Sequence, residues 1–403
     1  MNNHVPIPFG RVQIGKPLPV DVYAPNGHLL LRRGQMLQSE QHRDTLIDRE
    51  ACMSQADARA WQRSLERLMR TMRYEGCSLA QIAQAPMPSE IYEADYREGL
   101  QIDGSWLDLQ DTLRSLLYQG QTATKPLERL DGLEQKTVTL LHQDPDEGLF
   151  VMFQALHDLS MGYCATHALL VGAICALAAD KLGLSPDTRA LLLRTALVMN
   201  IGMAHQQDAM ALQASAPSTV QRRLIDGHAC GSADILRGFG VQDADLMEMV
   251  RWHHAPDGAT LPECLLEGLR LLNLADGLVA KMAPRKTRAA ISPIGAAKSL
   301  VLTPTRTTSQ LRPALVSVLG FYPPGTYVQL ANGETAVSIS RGRRATTPYA
   351  ASIINTAGMP LGKYTWRDTG DPQFKVCTPV DTDAVHMRIS LDKIRRLRHQ
   401  HGV

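Results

Sequence analysis

The spacing of apolar positions changes character along the chain. In the first 40 residues short apolar groups alternate with turn signals: Val20-Asp-Val-Tyr23, Ala24-Pro-Asn-Gly27, then His28-Leu-Leu-Leu31. The Asn-Gly pair supplies the positive φ that a tight hairpin requires, so a small β-containing unit is expected over 1–50. From about Ser39 to Gln143 the apolar residues recur at helical spacing beside charged faces, interrupted near Ala85-Pro-Met-Pro88 and again from Gly120 to Pro126. Residues 51–146 therefore read as a helical connector.

From about Glu147 to Gly320 the pattern is helical almost throughout, and 147–320 is expected to form one α domain. Within it Ser218-Thr-Val-Gln221 has the form of a capping box opening a helix that runs toward Leu236, with Gly238 and Gly240 suited to its exit. After Gly320 the signals become those of a sheet: Tyr327-Val-Gln-Leu330, the turn Ala331-Asn-Gly-Glu334, Thr335-Ala-Val-Ser-Ile339, and Ala350 to Ile354 followed by Ala357-Gly358. A β module over 321–403 is expected, ending in a short basic helix with Lys393, Arg395, Arg396 and Arg398. The fold class is mainly α, a helical bundle core flanked by small N-terminal and C-terminal β units. No internal repeat or low-complexity tract is visible.

Composition narrows the function classes. With 403 residues, 44% hydrophobic and 20% charged, the chain has the make-up of an ordinary globular protein and neither a disordered nor a fibrous one. Lys+Arg (42) against Asp+Glu (40) leaves a formal charge of +2, which excludes a generally basic surface for a nucleic acid polymer, so any anionic partner must meet a local site. The N-terminus lacks a basic stretch followed by an apolar one, and a cytoplasmic location is expected. The longest uncharged apolar run, Ala168 to Ala179, is well short of the ~20 residues that cross a bilayer, so no membrane span is expected. Seven dispersed cysteines without a Cys-x-x-Cys pair indicate reduced thiols and neither a disulfide framework nor a thiolate zinc site.

The candidate chemistry lies in the helical segment. His167, His228, the pair His253-His254 and Asp276 each fall on a separate predicted helix or helix end. Imidazole and carboxylate are the ligands of Zn, Fe and Mn sites, and a bundle can aim one ligand from each helix at a common interior point. A single histidine in such a segment is more often a hydrogen-bonded core or surface residue. Two adjacent imidazoles closing the apolar helix Met247-Glu-Met-Val-Arg-Trp-His-His254 are an unusual choice for packing alone.

Here the chain resembles the HD-GYP proteins, a bacterial branch of the HD-domain metal-dependent phosphohydrolases. The resemblance is carried by Tyr163-Cys-Ala-Thr-His167, by Ala190 to Met203, by Leu224-Ile-Asp-Gly-His228-Ala-Cys-Gly231, by Trp252-His-His254 with Asp257-Gly258, and by Asn273-Leu-Ala-Asp276-Gly-Leu-Val-Ala280. The flanks Pro323-Pro-Gly-Thr326 and Asn332-Gly-Glu334 also resemble that family. It implies an HD-type bundle with a di- or trinuclear iron or manganese site that hydrolyses cyclic di-GMP, a metal-bridging hydroxide attacking phosphorus. By position, His167, His228, His253, His254 and Asp276 match metal ligands. Arg285 and Arg288 match the basic stretch suited to gripping the dinucleotide phosphates; solvated charges at a helix end are the competing reading.

The departures carry the functional argument. Where the family has its His-Asp doublet and then Ile-Gly-Lys, this chain has Met199-Asn200-Ile-Gly-Met203, and the Gly-Tyr-Pro loop after the paired histidines is replaced by Ala255-Pro-Asp-Gly-Ala-Thr-Leu-Pro262. The family's bridging aspartate becomes neutral at Asn200, Met199 offers only a soft thioether, and Met203 removes a phosphate-facing positive charge. No catalytic residue is assigned with those positions degenerate. Two decoys are set aside: His157-Asp158 reads as a helix-surface pair, and His205 as a loop histidine that is at best a stand-in ligand. The run Arg341-Gly-Arg-Arg344 reads as solvated charge.

Two functions stay open. One is a degenerate HD-GYP protein in cyclic di-GMP signalling, a non-catalytic nucleotide-binding or protein-interaction module with a signalling protein partner, holding one transition-metal ion (Fe, Mn or Zn) or none. The other is an active or weakly active metal-dependent phosphodiesterase in which His228, His253 and His254 hold one metal and Asn200 or His205 completes the shell. A different HD-type phosphohydrolase substrate is a weaker third, against which the HD-GYP-like flanks count.

Overall fold

Asn26-Gly27 closes the expected hairpin in the computed structural model, which describes residues 4–74, 77–91, 104–287, 290–302 and 309–403. The chain divides into two units, Met1–Asp103 and Gly104–Val403. In the first, strands β1 (His4–Pro6), β2 (Val22–Tyr23) and β3 (Leu29–Leu31) are followed by helix α1 (Glu40–Asp48), strand β4 (Cys52–Ser54) and helices α2 (Gln55–Tyr74) and α3 (Leu79–Ala83). The four strands pair antiparallel in the order β1-β4-β2-β3, with Val22 opposite Leu31.

Four short strands cannot bury their apolar face alone. Leu18, Val20, Val22 and Leu37 are covered by Trp61 and Leu65 of α2 together with Ala85 and Met87. The Trp61 indole N–H donates to the carbonyl of Pro88 at 2.7 Å. This is why the expected connector over 51–146 does not stay in one piece: its first part packs into the N-terminal unit and its remainder, from Gly104, into the second.

The second unit begins with helices α4 (Trp106–Gln119), α5 (Pro126–Gln143), α6 (Pro145–Leu156), α7 (Tyr163–Lys181), α8 (Pro186–Val198), α9 (Ala204–Leu212), α10 (Thr219–Gly238), α11 (Ala244–Trp252), α12 (Glu263–Met282), α13 (Pro293–Leu302) and α14 (Leu311–Leu319). Strands β5 (Tyr327–Leu330), β6 (Thr335–Ser340), β7 (Tyr349–Ile354), β8 (Pro360–Asp368) and β9 (Val376–Val380) form an antiparallel sheet in the order β8-β7-β6-β5-β9, and helix α15 (Leu391–His401) ends the chain. The fold is mainly α, with β units at both ends. Helix α7 is apolar on every side and is the centre of the bundle. It has the length and mean hydropathy, 1.5, of a membrane span, but 83% of that window is buried among its neighbours.

The sheet is attached to the bundle at α6. Gly325 adopts φ +93°, and a Cβ there would lie 2.7 Å from the carbonyl oxygen of Phe150, so the Pro323-Pro-Gly-Thr326 turn can approach the helix backbone only because it has no side chain at that point. Gln154 of α6 donates to the Gly325 carbonyl and accepts from the Tyr327 hydroxyl at 3.0 Å. Within the sheet, the bidentate Arg367 guanidinium, helped by Ser352 and Asn332, outweighs partial burial and holds the Glu334 carboxyl down to about 2.

Three acidic residues at the start of α6 each take an arginine from the C-terminal module. Asp144 caps α6 through the amide of Glu147 and binds Arg398 through both oxygens at 2.8 and 2.9 Å; Glu147 binds Arg395 at 2.7 and 3.0 Å; Asp146 binds Arg341. Arg341 also donates to the carbonyl of Val318 at 3.2 Å. It is therefore not the solvated charge its sequence context suggests, because its partner lies 195 positions away. Burial lifts the Asp146 carboxyl above its ordinary range and Arg341 only partly offsets this, so removing the arginine strands a carboxylate in a poorly hydrated place. Arg341→Met is expected to lower unfolding stability by about 2 kcal/mol in urea titration. A loss below about 0.5 kcal/mol, the range of an ordinary surface substitution, would show that Asp146 needs no partner.

Candidate metal centre

Helix α10 starts at the expected capping box, Ser218 accepting from the amide of Gln221 while Gln221 accepts from the amide of Ser218. Its inward face carries His228, Ser232, Ala233 and Leu236, the spacing of one helical stripe. Helix α11 buries Leu246, Met249 and Val250, and His253 continues that face just beyond the helix end. Asn273 of α12 donates to the His253 carbonyl at 2.8 Å and pins the end of α11 to α12. His228 is thus delivered by one helix and the pair His253-His254 by the end of the next.

The imidazoles converge. The Nδ1 of His228 bonds the carbonyl of Ile225, and that of His253 bonds the carbonyl of Val250 at 2.7 Å. A carbonyl partner places the proton on Nδ1 and leaves each Nε2 a bare lone pair. Those two Nε2 atoms face each other at 3.2 Å, and His254 Nε2 lies 3.3 Å from that of His228. Burial, then the positive character of His254, pushes His253 down to about 3, and burial lowers His228 as well, so protonation does not resolve the opposition near neutral pH.

A cation does resolve it. Metal–nitrogen bonds of ~2.0–2.1 Å in a tetrahedron place neighbouring ligand nitrogens about 3.3–3.4 Å apart. The observed 3.2 and 3.3 Å match that edge. Among the described residues, His228, His253 and His254 form the group whose ligand atoms all lie within 4.8 Å of one another. The donor set fits one Zn, Fe or Mn ion.

His167 and Asp276 adjoin this group and are bonded to each other. His167 Nε2 donates to Asp276 Oδ1 at 2.7 Å, and Tyr163, one turn before it on α7, donates its hydroxyl to His167 Nδ1 at 3.2 Å. The other oxygen, Asp276 Oδ2, lies 3.7 Å from His254 Nδ1. Burial works to raise Asp276, but its bond to His167 and the surrounding imidazoles outweigh it and leave the carboxyl below its ordinary range. The five expected residues therefore form one contiguous chain in which three nitrogens converge and a carboxylate–imidazole pair supports His254.

The turn at 199–203 packs against the helix that carries His228. Ser232 donates to the carbonyl of Met199 at 2.7 Å and accepts from the amide of Gly202 at 3.0 Å. Met199 and Met203 are core side chains, and Asn200 is 3% exposed with its Oδ1 lacking any partner among the described residues. Arg285 lies over the Tyr163 ring with a guanidinium nitrogen 3.5 Å from its hydroxyl; Arg288 lies outside the described residues. His205 bonds the Tyr118 carbonyl at 3.0 Å and stacks on its ring, and His157 bonds the Phe153 carbonyl at 2.8 Å, so neither joins the site.

Sequence reasoning missed Ser232, Asn273 and Asp208. Ser232 lies one turn after His228 on the same face and was open to discovery by that spacing. Asp208 was not, because it accepts from the amide of Cys164 at 2.6 Å, anchoring the N-terminus of α7 from 44 positions away.

Comparison with protein-family models and with curated proteins finds no match. Among solved structures the chain is similar to "Bd1817, a HDG"Y"P protein from Bdellovibrio bacteriovorus", with 16% identity and a TM-score of 0.38 over 77% of this chain and 99% of that one. At this score the similarity transfers no residue role or activity.

Two outcomes follow from the geometry. Because His253 is held near 3 in the fold and near 6.5 when unfolded, the unfolded chain alone takes up a proton as pH falls through that window. Stability in the presence of chelator is expected to be full above about pH 6.5 and to fall by on the order of 2 kcal/mol by pH 5, a slope that His253→Gln should flatten. An unchanged slope in that variant would place the linkage elsewhere. Gly202→Ala adds a methyl 2.8 Å from the His228 carbonyl and the Ser232 amide nitrogen, both backbone atoms of α10. It is expected to lower stability by about 2 kcal/mol and metal affinity about tenfold; wild-type values for both would show that the turn is not wedged against α10.

Proposed function

We propose that the protein is a degenerate HD-GYP-type module of cyclic di-GMP signalling that holds one transition-metal ion on His228, His253 and His254 and acts by binding rather than hydrolysis. The observation that supports it is the convergence of three imidazoles beside a turn where Asn200 stands in place of an anionic bridge. The carboxylate that reaches these histidines among the described residues is Asp276, already engaged by His167. A metal ion held by His228, His253 and His254 would supply Lewis acidity at this point. His228 and His253 bind through fixed Nε2 lone pairs, and Arg285, stacked on Tyr163, is the charge nearest the far end of the chain of contacts. The cyclic di-GMP link and the interaction role rest on the HD-GYP resemblance of the motifs, and the partner on the same footing is a signalling protein.

A second reading, a weak mononuclear phosphodiesterase, is favoured by one observation: the His254 side chain is 52% exposed, so the cluster is open to solvent. Metal analysis with a turnover assay separates the two. The proposal expects about one metal per chain, none in His253→Ala, and no cyclic di-GMP hydrolysis above a chelated control. Two or more metals with turnover abolished by His253→Ala would overturn it. Met199→His with Asn200→Asp should raise metal content above one per chain, and unchanged content would mean that the pocket does not admit a second ion even with its carboxylate restored.

A further inference from the structure

The turn Arg341-Gly-Arg-Arg344 borders a cleft of about 410 Å³ between α14 and the β6–β7 connection. Its lining includes Arg341, Arg343 and Arg344 and no acidic residue. Arg341 is neutralised by Asp146, but Arg343 and Arg344 are exposed and have no acidic partner among the described residues. The chain's overall charge is only +2, so this is a local concentration of positive charge.

The turn is held in place. The amide of Phe321 donates to the carbonyl of Ala345 at 2.7 Å, the amide of Thr347 to that of Arg344 at 3.0 Å, and Arg341 takes up the Val318 carbonyl near the end of α14. The last contact also offsets the negative end of that helix, which would otherwise disfavour an anion here. Opposite the arginines, Pro313, Val316 and Tyr322 give the cleft an apolar wall.

We propose that this cleft binds a small phosphate ester, Arg343 and Arg344 gripping the phosphate while the apolar wall receives the organic part. Two guanidiniums lining one cleft without an acidic counterpart leave its positive charge uncompensated, and their planar forks match phosphate oxygens in pairs. The volume falls in the range of small-molecule sites, about 300–1,000 Å³, and suits a mononucleotide-sized ligand better than a polymer. The site is separate from the histidine cluster and does not depend on the function proposed above.

Calorimetry on the full chain in chelator, with AMP and inorganic phosphate as probes, tests it. AMP is expected to bind more tightly than phosphate and to weaken about tenfold or more in the double variant Arg343→Ala, Arg344→Ala. Ser317→Trp, at an exposed cleft position, should weaken AMP with both arginines intact, and His228→Ala should leave binding unchanged. Equal affinity in the double variant, no detectable AMP binding, AMP no tighter than phosphate, loss of binding in His228→Ala, or tighter binding of a polyglutamate peptide than of AMP would each overturn the proposal. Thermal melts of each variant confirm that the fold is retained; should the double variant not fold, Ser317→Trp alone decides.

Discussion

Two imidazole lone pairs facing each other at 3.2 Å inside a helical bundle are unfavourable until something positive lies between them. A proton is the cheapest candidate, but burial pushes His253 down to about 3 and denies it at neutral pH. The opposition is imposed from outside the cluster. Backbone carbonyls of Ile225 and Val250 fix both tautomers, Asn273 fixes the end of α11, and Asp208 with Tyr163 fixes the α7 end of the chain of contacts. The packing of α7, α10, α11 and α12 thus stores a preference for a cation at one point, and the acidic start of α6 ties the C-terminal sheet to the same bundle.

Features set by neighbouring residues could be read from the sequence. The Asn-Gly hairpins, the Ser218 capping box, the basic terminal helix and the placement of His167, His228, the pair His253-His254 and Asp276 on separate helices or helix ends all depend on spacings of a few residues, which the structure reproduces. Features set by distant pairs could not. Arg341 looked solvated because nothing near it in sequence is acidic, and its partner Asp146 is brought to it only by the docking of the sheet on α6. The division near residue 103 was hidden for a similar reason: the α2 face carrying Trp61 has the same helical pattern whether it covers a sheet or joins a bundle.

The turn at 199–203 is fixed by its packing against the helix that carries His228. Met199 and Met203 are buried apolar side chains, and the backbone there is secured by Ser232 and by the close approach that Gly202 permits. An uncharged, largely apolar turn is therefore held firmly against the helix that carries His228. Asn200 Oδ1 is buried and without a partner among the described residues.

Charge then decides how many ions such a pocket can hold. Three imidazoles contribute donors and no negative charge, which suffices for one dication coordinated at bonding distance. Two dications ~3.5 Å apart repel by on the order of 20 kcal/mol even at an effective dielectric of 20, and only anionic bridging ligands between them bring that within reach. Position 200 supplies a neutral amide, and Asp276 is drawn toward His167 at 2.7 Å. Moving that carboxylate into a bridge would leave the His167 Nε2–H without its acceptor in a place where the residue is 1% exposed, which adds a desolvation cost to that repulsion. The same packing that favours one cation among the three imidazoles therefore disfavours a second beside it.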